Sequence, residues 1–141
     1  MIADVFLDTN VLVYAAIGSG KDEPKRQRAL ELIESKNFAT SAQVLQEFYV
    51  TVTRKAARPL SAEQAMEWIE QLIVFPCRAI DHYIVRIAIE HAARYQISYW
   101  DAAIISAAEA LGCPVVCSED LSAGQRYGEV KVINPFTSVA S

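Results

Sequence analysis

Cysteine, histidine and positive charge are all scarce in this 141-residue sequence. Three cysteines (Cys77, Cys113 and Cys117) cannot all pair and form no C-x-x-C, which excludes a disulfide scaffold and a cysteine-built zinc site. The two histidines, His82 and His91, make no ligand-spaced set with them, so zinc is a poor guest. Lys and Arg number 13 against 17 Asp and Glu, for a net charge of −4. That sign argues against a protein that grips phosphates by basic charge alone. Long apolar runs are missing too. Asp4 and Asp8 interrupt the first 17 residues, which also lack the basic start of a signal peptide, and Glu109 and Gly112 break the run 102–117. These absences predict a cytoplasmic protein with no membrane association.

What is present is ample apolar material. Hydrophobic residues make up 52% and charged residues 21%, which excludes intrinsic disorder. A chain of this length forms one domain, 1–141, and buries roughly 70% of its unfolded surface without staples. No internal repeat or linker interrupts it. Gly18-Ser-Gly20-Lys21 superficially suggests a phosphate loop, but Ala15 stands where the first glycine belongs and Asp22 follows the lysine. A dinucleotide fingerprint fails at Glu23, and no G-x-S-x-G elbow is present.

Apolar patterning alternates strand and helix. Strands are expected at 3–7, 38–40, 73–77, 115–117 and 130–133. Helices are expected at 10–17, 24–36, 41–57, 61 onward, 82–95 and 99–111, opened by Pro24, Ser41, the Ser61-x-x-Gln64 capping box, Asp81 and Ser98. Short apolar strands separated by helices predict an α/β fold with a parallel sheet covered on both faces. Ligands of such sheets bind at the carboxyl ends of strands, near a switch in strand order.

Four acidic positions draw attention to that edge. Asp8 ends the first strand, although Asp-Thr-Asn also suits a helix cap. Asp101 falls between the directions of Ile104 and Ile105, in the buried sector of its helix, although Ser98-x-x-Asp101 also fits a capping box. Glu47 flanks the core face formed by Val44, Leu45, Phe48 and Val52. Glu119 and Asp120 follow the strand at 115–117 in a polar turn. Carboxylates converging on one point repel unless cations occupy the space between them. Mg²⁺ or Mn²⁺ suits such oxygen ligands, and a bound ion would attract phosphate despite the net charge. Phosphodiester hydrolysis by an activated water fits this pocket. Thr9 and Ser118 could orient a carboxylate or water through their hydroxyls.

Phe6-Leu7-Asp8-Thr9-Asn10-Val11-Leu12 resembles the opening of PIN-domain nucleases, especially VapC-type toxins. The resemblance continues at Gln46-Glu47-Phe48, Tyr99-Trp100-Asp101-Ala102-Ala103-Ile104 and Cys117-Ser118-Glu119-Asp120-Leu121, in the family's order and across nearly the whole chain. It implies a three-layer α/β/α sandwich with a central, mostly parallel sheet. It also implies a Mg²⁺- or Mn²⁺-dependent endoribonuclease, a small cognate antitoxin as partner, and a homodimer. Asp8, Glu47 and Asp101 match the first three family acids, and the spacing from Ser118 selects Asp120 over Glu119 as the fourth. A housekeeping RNA-processing nuclease and a non-catalytic PIN module that only binds RNA or protein are the alternatives.

Among basic residues, Arg54, Lys55 and Arg58 form the densest cluster near a functional helix end and are candidate RNA contacts; Lys25, Arg26 and Arg28 form another. Trp68, Phe75 and Tyr83 fit either a dimer interface or the core, and Trp100 is expected to be structural, on an apolar stripe with Ile104, Ala107, Ala108 and Leu111.

Overall fold

A computed structural model describes residues 3–137. The strands are β1 (Val5–Leu7), β2 (Phe38–Ser41), β3 (Cys77–Arg78), β4 (Val115–Cys117), β5 (Arg126–Tyr127) and β6 (Val130–Ile133). They form one sheet in the order β3-β2-β1-β4-β6-β5. The run from β3 to β6 is parallel, and β5 alone turns back antiparallel beside β6. Six helices connect and cover it: α1 (Thr9–Ile17), α2 (Glu23–Glu34), α3 (Ala42–Val50), α4 (Ala62–Leu72), α5 (His82–Tyr95) and α6 (Tyr99–Ala110). Successive strand residues face opposite sides, and Phe6 and Leu7 are both fully buried. All four residues of β2 are buried as well, so the sheet is covered on both faces, as the apolar strands require.

Local chemistry starts the helices where expected. The Ser41 hydroxyl accepts from Val44 N, Ser61 and Gln64 form a reciprocal capping box, and Asp81 accepts from Ile84 N. From β1 the chain leaves to β2 on one side, and β4 lies on the other. The β1/β4 junction is therefore a switch in strand order, the place where such sheets form a crevice.

Several expectations need correction. The third helix does not continue regularly to 57. It widens to a π turn at Thr51–Lys55, where the Thr53 hydroxyl donates to the Tyr49 carbonyl at 2.6 Å and competes with the regular ladder. The strand expected at 73–77 shrinks to β3. Ile73 N still bonds to Ile69 O, and Phe75 N turns back to Leu72 O. The antiparallel β5 was not expected. Trp100 is 64% exposed rather than structural, because the first turn of α6 lies outside the packed stretch 102–108, which is buried throughout. Tyr83 is exposed, whereas Trp68 and Phe75 pack against the core beside Phe48 and Phe38.

Candidate functional site

The carboxyl ends of β1 and β4 are locked together before any acid is placed. Asp8 N donates to Cys117 O at 3.0 Å, and Ser118 N donates to Ile133 O at 3.0 Å. Asp8 then caps α1: one carboxylate oxygen accepts from Thr9 N at 2.7 Å, and the other accepts from the Ser118 hydroxyl at 2.8 Å. The capping contact leaves the second carboxylate oxygen at the β1/β4 rim, held by Ser118. Asp8 is buried, and burial is the main reason its pKa is pushed up to about 6. The Ser118 and Thr9 hydrogen bonds oppose that rise, and the charges of Glu47 and Asp120 add to it.

The remaining acids are tied to this centre by short polar links. The Thr9 hydroxyl donates to Glu47 Oε1 at 2.7 Å, which places α3 against the start of α1. Asn10 Nδ2 donates to Asp120 Oδ2 at 3.1 Å, and Asn10 Oδ1 accepts from Glu119 N at 3.1 Å. Ser118 Oγ also accepts from Asp120 N and Leu121 N, so one hydroxyl shapes the turn after β4. Asp101 enters from the first turn of α6, where its backbone N–H donates to Ser98 Oγ at 3.0 Å. Its side chain is half-buried at the rim, not sunk in the core as its helical direction suggested. Burial raises its pKa, the Ser98 hydroxyl opposes that, and Asp120 and Glu47 raise it further. Glu47 and Asp120 thus each lie within electrostatic reach of both Asp8 and Asp101. None of the four has a Lys, Arg or His ion-pair partner among the described residues.

Glu119 behaves differently. Its carboxylate takes Lys25 Nζ at 2.5 Å and the Tyr14 hydroxyl at 2.6 Å. Burial works to raise its pKa, but Lys25 and Tyr14 outweigh that and hold it below the usual range. Glu119 is therefore neutralised from α1 and α2, and Asp120 is the acid left facing Asp8.

Sequence reading missed two residues that organise the site. Gln43 is buried, and its side-chain amide donates both to Glu47 Oε2 at 3.3 Å and to the Trp100 carbonyl at 3.2 Å. It joins the helix bearing Glu47 to the helix bearing Asp101. Asn10 links the α1 start to the β4 turn. Only the i to i+4 spacing of Gln43 and Glu47 was visible in the sequence.

A cleft of about 680 Å³ opens over this rim, lined by Thr9, Asn10, Tyr14, Glu47, Lys55 and Asp120 among others. Lys55 brings a cation from the π turn to the cleft wall. Arg54 and Arg58 are exposed but do not line it. The second basic cluster is occupied internally: Lys25 holds Glu119, Arg26 holds Glu23, and Arg28 donates to the Pro135 carbonyl. His91 pairs with Glu109 at 3.1 Å, on α5 and α6.

Among the described residues, no three His, Cys, Asp or Glu side chains are drawn close enough to form a preassembled metal cage. Mg²⁺ does not need one. It keeps several waters and binds through one or two carboxylates. A buried Asp8 with a raised pKa, among carboxylates that lack a cation, fits a hard divalent ion. Burial pushes the Cys113 and Cys117 thiols up to about 11, so both stay protonated. The Thr9 and Ser118 hydroxyls are committed to Glu47 and Asp8.

Comparison with known proteins bears on the family and the fold. A family model described as PIN domain matches residues 5–127. The fold is similar to the crystal structure of Mycobacterium tuberculosis VapC20, a sarcin-ricin loop cleaving toxin, at 18% identity and TM-score 0.65, covering 82% of this chain and 91% of that one. It is also similar to a chain of a toxin–antitoxin complex from Klebsiella pneumoniae, at 19% identity and TM-score 0.68, covering 93% and 97%. A third similar chain comes from FitAB bound to an IR36 DNA fragment, at 20% identity and TM-score 0.66, covering 94% and 95%. At these identities the likeness establishes the fold alone. No curated protein sequence matches. Among the described residues, no helix is long and apolar enough to cross a membrane.

Proposed function

This chain belongs to the PIN-domain family, and from that premise we propose that it is a metal-dependent endoribonuclease, the toxin of a toxin–antitoxin pair. The observation that carries the reading is the buried Asp8 carboxylate, gathered with Glu47, Asp101 and Asp120 at the β1/β4 switch point without a basic partner. Such a cluster is costly for a purely structural role. The toxin assignment is supported by the toxins and toxin–antitoxin complexes among the similar folds. On this reading the chain is a single PIN domain of the cytoplasm. Its partners are RNA, a small antitoxin protein and a second copy of itself.

Asp8, Asp101 and Asp120, with Glu47, would hold Mg²⁺ or Mn²⁺. When bound, the ion supplies an activated water and stabilises the leaving oxygen. The residues do the rest. Ser118 and the Thr9 backbone fix Asp8, Thr9 and Gln43 fix the two Glu47 oxygens, and Asn10 fixes Asp120. On this reading Asp101, half-buried at the rim, takes the proton of the attacking water. Lys55, on the cleft wall, would contact a backbone phosphate, and the exposed Arg54 and Arg58 would add positive charge outside the cleft.

Cleavage of end-labelled single-stranded RNA by the purified protein tests this reading. Cleavage is expected with Mg²⁺ or Mn²⁺ and should be lost in EDTA and in Asp8→Asn. Undiminished cleavage in EDTA would contradict it.

A further inference from the structure

Lys25 is held more firmly than a surface lysine has reason to be. It sits in the first turn of α2, and its side chain is only 20% exposed. Its ammonium pairs with Glu119 Oε2 and donates to the Tyr14 hydroxyl at 3.3 Å, and that hydroxyl donates to Glu119 Oε1 at 2.6 Å. The Tyr14 and Phe136 rings meet edge to face, and the ammonium lies 5.1 and 5.9 Å from their centroids. Both oxygens of Glu119 are thereby occupied from α1 and α2. A partly buried pair of this kind is weak evidence for stability, because desolvation offsets the attraction. What the pair does fix is where the Glu119 carboxylate is committed.

That carboxylate stands at the edge of the acidic cluster. Glu119 lines the same cleft as Thr9, Glu47 and Asp120, whereas Lys25 does not line it. One Asn10 side chain holds Glu119 and its neighbour alike: Asn10 Oδ1 accepts from Glu119 N, and Asn10 Nδ2 donates to Asp120 Oδ2. Without Lys25, a fifth carboxylate would be unpaired on the cleft that carries Glu47 and Asp120. The number of carboxylate oxygens on offer separates one hard divalent ion from another. Mg²⁺ keeps several waters and takes one or two carboxylates, whereas Ca²⁺ takes about six to eight oxygens and gains from each added carboxylate.

We propose that Lys25 sets the ion preference of the site: by holding Glu119 against α1 and α2 it withholds a fifth carboxylate, and so keeps the site suited to a small, water-rich divalent ion over Ca²⁺. Lys25 acts through Glu119 and touches neither the ion nor the substrate, so it is a positioning residue. This inference rests on the reading of Asp8, Glu47, Asp101 and Asp120 as a cation site.

The test is ion binding by the full chain with no RNA present. Mn²⁺ binding is read from the paramagnetic resonance of the free ion, and Mg²⁺ and Ca²⁺ are each titrated in to displace it. Lys25→Met should raise affinity for Ca²⁺ about tenfold or more relative to Mg²⁺. Lys25→Met combined with Glu119→Gln should return the ratio of the two affinities to that of wild type, since the released carboxylate is then gone. Lys25→Gln keeps a donor beside Glu119 and gives the same comparison at less cost to folding; it should move the ratio the same way by a smaller factor. Equal tightening of both ions in the Lys25 variants overturns the proposal and reduces Lys25 to a distant charge. An unchanged ratio with a lower melting temperature overturns it too, and makes the pair structural. A shift that persists in the double variant removes Glu119 from the account and overturns it likewise. Absence of Mn²⁺ binding by wild type overturns the cation-site reading together with it.

Discussion

Glu119 and Asp120 are adjacent in sequence and stand in opposite electrostatic surroundings. Glu119 turns toward α1 and α2, where Lys25 and Tyr14 satisfy it and hold its pKa low. Lys25 also lies over the Tyr14 and Phe136 rings, which fixes the amine in place. Asp120 turns toward Asp8 and Asp101, where its charge raises both of their pKa values. One cluster is a completed ion pair and the other a set of acids with no basic partner among the described residues. A protein that gathers anions without pairing them, beside a place where it pairs one well, points to an external counter-ion at the unpaired cluster.

The sharpest way to break this contrast is to neutralise each acid in turn. Asp120→Asn should lower RNA cleavage by at least about a hundredfold, since a ligand should matter no less than the groups that orient it. Glu119→Gln should stay within a few-fold of wild type in the same assay. Equal losses would erase the distinction between the two acids.

Stability against pH sharpens it next. The folded pKa of Asp8 is raised from 3.8 to about 6, so between those values the folded protein keeps a proton that the unfolded chain releases. Stability is therefore lost as pH rises through that window, by up to about 3 kcal/mol in the absence of a cation. Asp8→Asn removes the loss. Its melting temperature relative to wild type should climb between pH 4 and pH 6.5, and added Mg²⁺ should narrow the gap by stabilising wild type. A gap that stays constant with pH would deny Asp8 its strained charge.

A smaller effect is expected at Gln43. Gln43→Ala frees one Glu47 oxygen and unties α3 from the Trp100 carbonyl. Cleavage should fall about tenfold, as for other residues that orient a ligand. Unchanged cleavage with a merely lower melting temperature would make the contact structural only.

The sequence exposes what is written locally. Ser41, Ser61, Asp81 and Ser98 cap helices through hydrogen bonds three residues away, and each is readable from spacing. Short apolar strands announce a covered parallel sheet, and the acids at 8 and 120 sit at strand ends where the fold class places ligands. What stays hidden depends on partners far along the chain. Asn10 meets Glu119 and Asp120 only because β1 pairs with β4. Gln43 matters because α6 delivers a carbonyl to it. Helical periodicity gives the direction of Trp100 and Asp101 around the axis but not where packing ends along it, so both are more exposed than their angles suggest. The π turn and the β5–β6 hairpin are local features that the apolar pattern does not announce.

The most direct measurement is Mn²⁺ binding, followed by electron paramagnetic resonance of the free ion at neutral pH. Wild type and Glu119→Gln should bind alike, while Asp8→Asn and Asp120→Asn should each weaken binding about tenfold or more. An absence of binding by wild type, or a loss in Glu119→Gln as large as that in Asp120→Asn, would contradict a cation site built from Asp8, Glu47, Asp101 and Asp120.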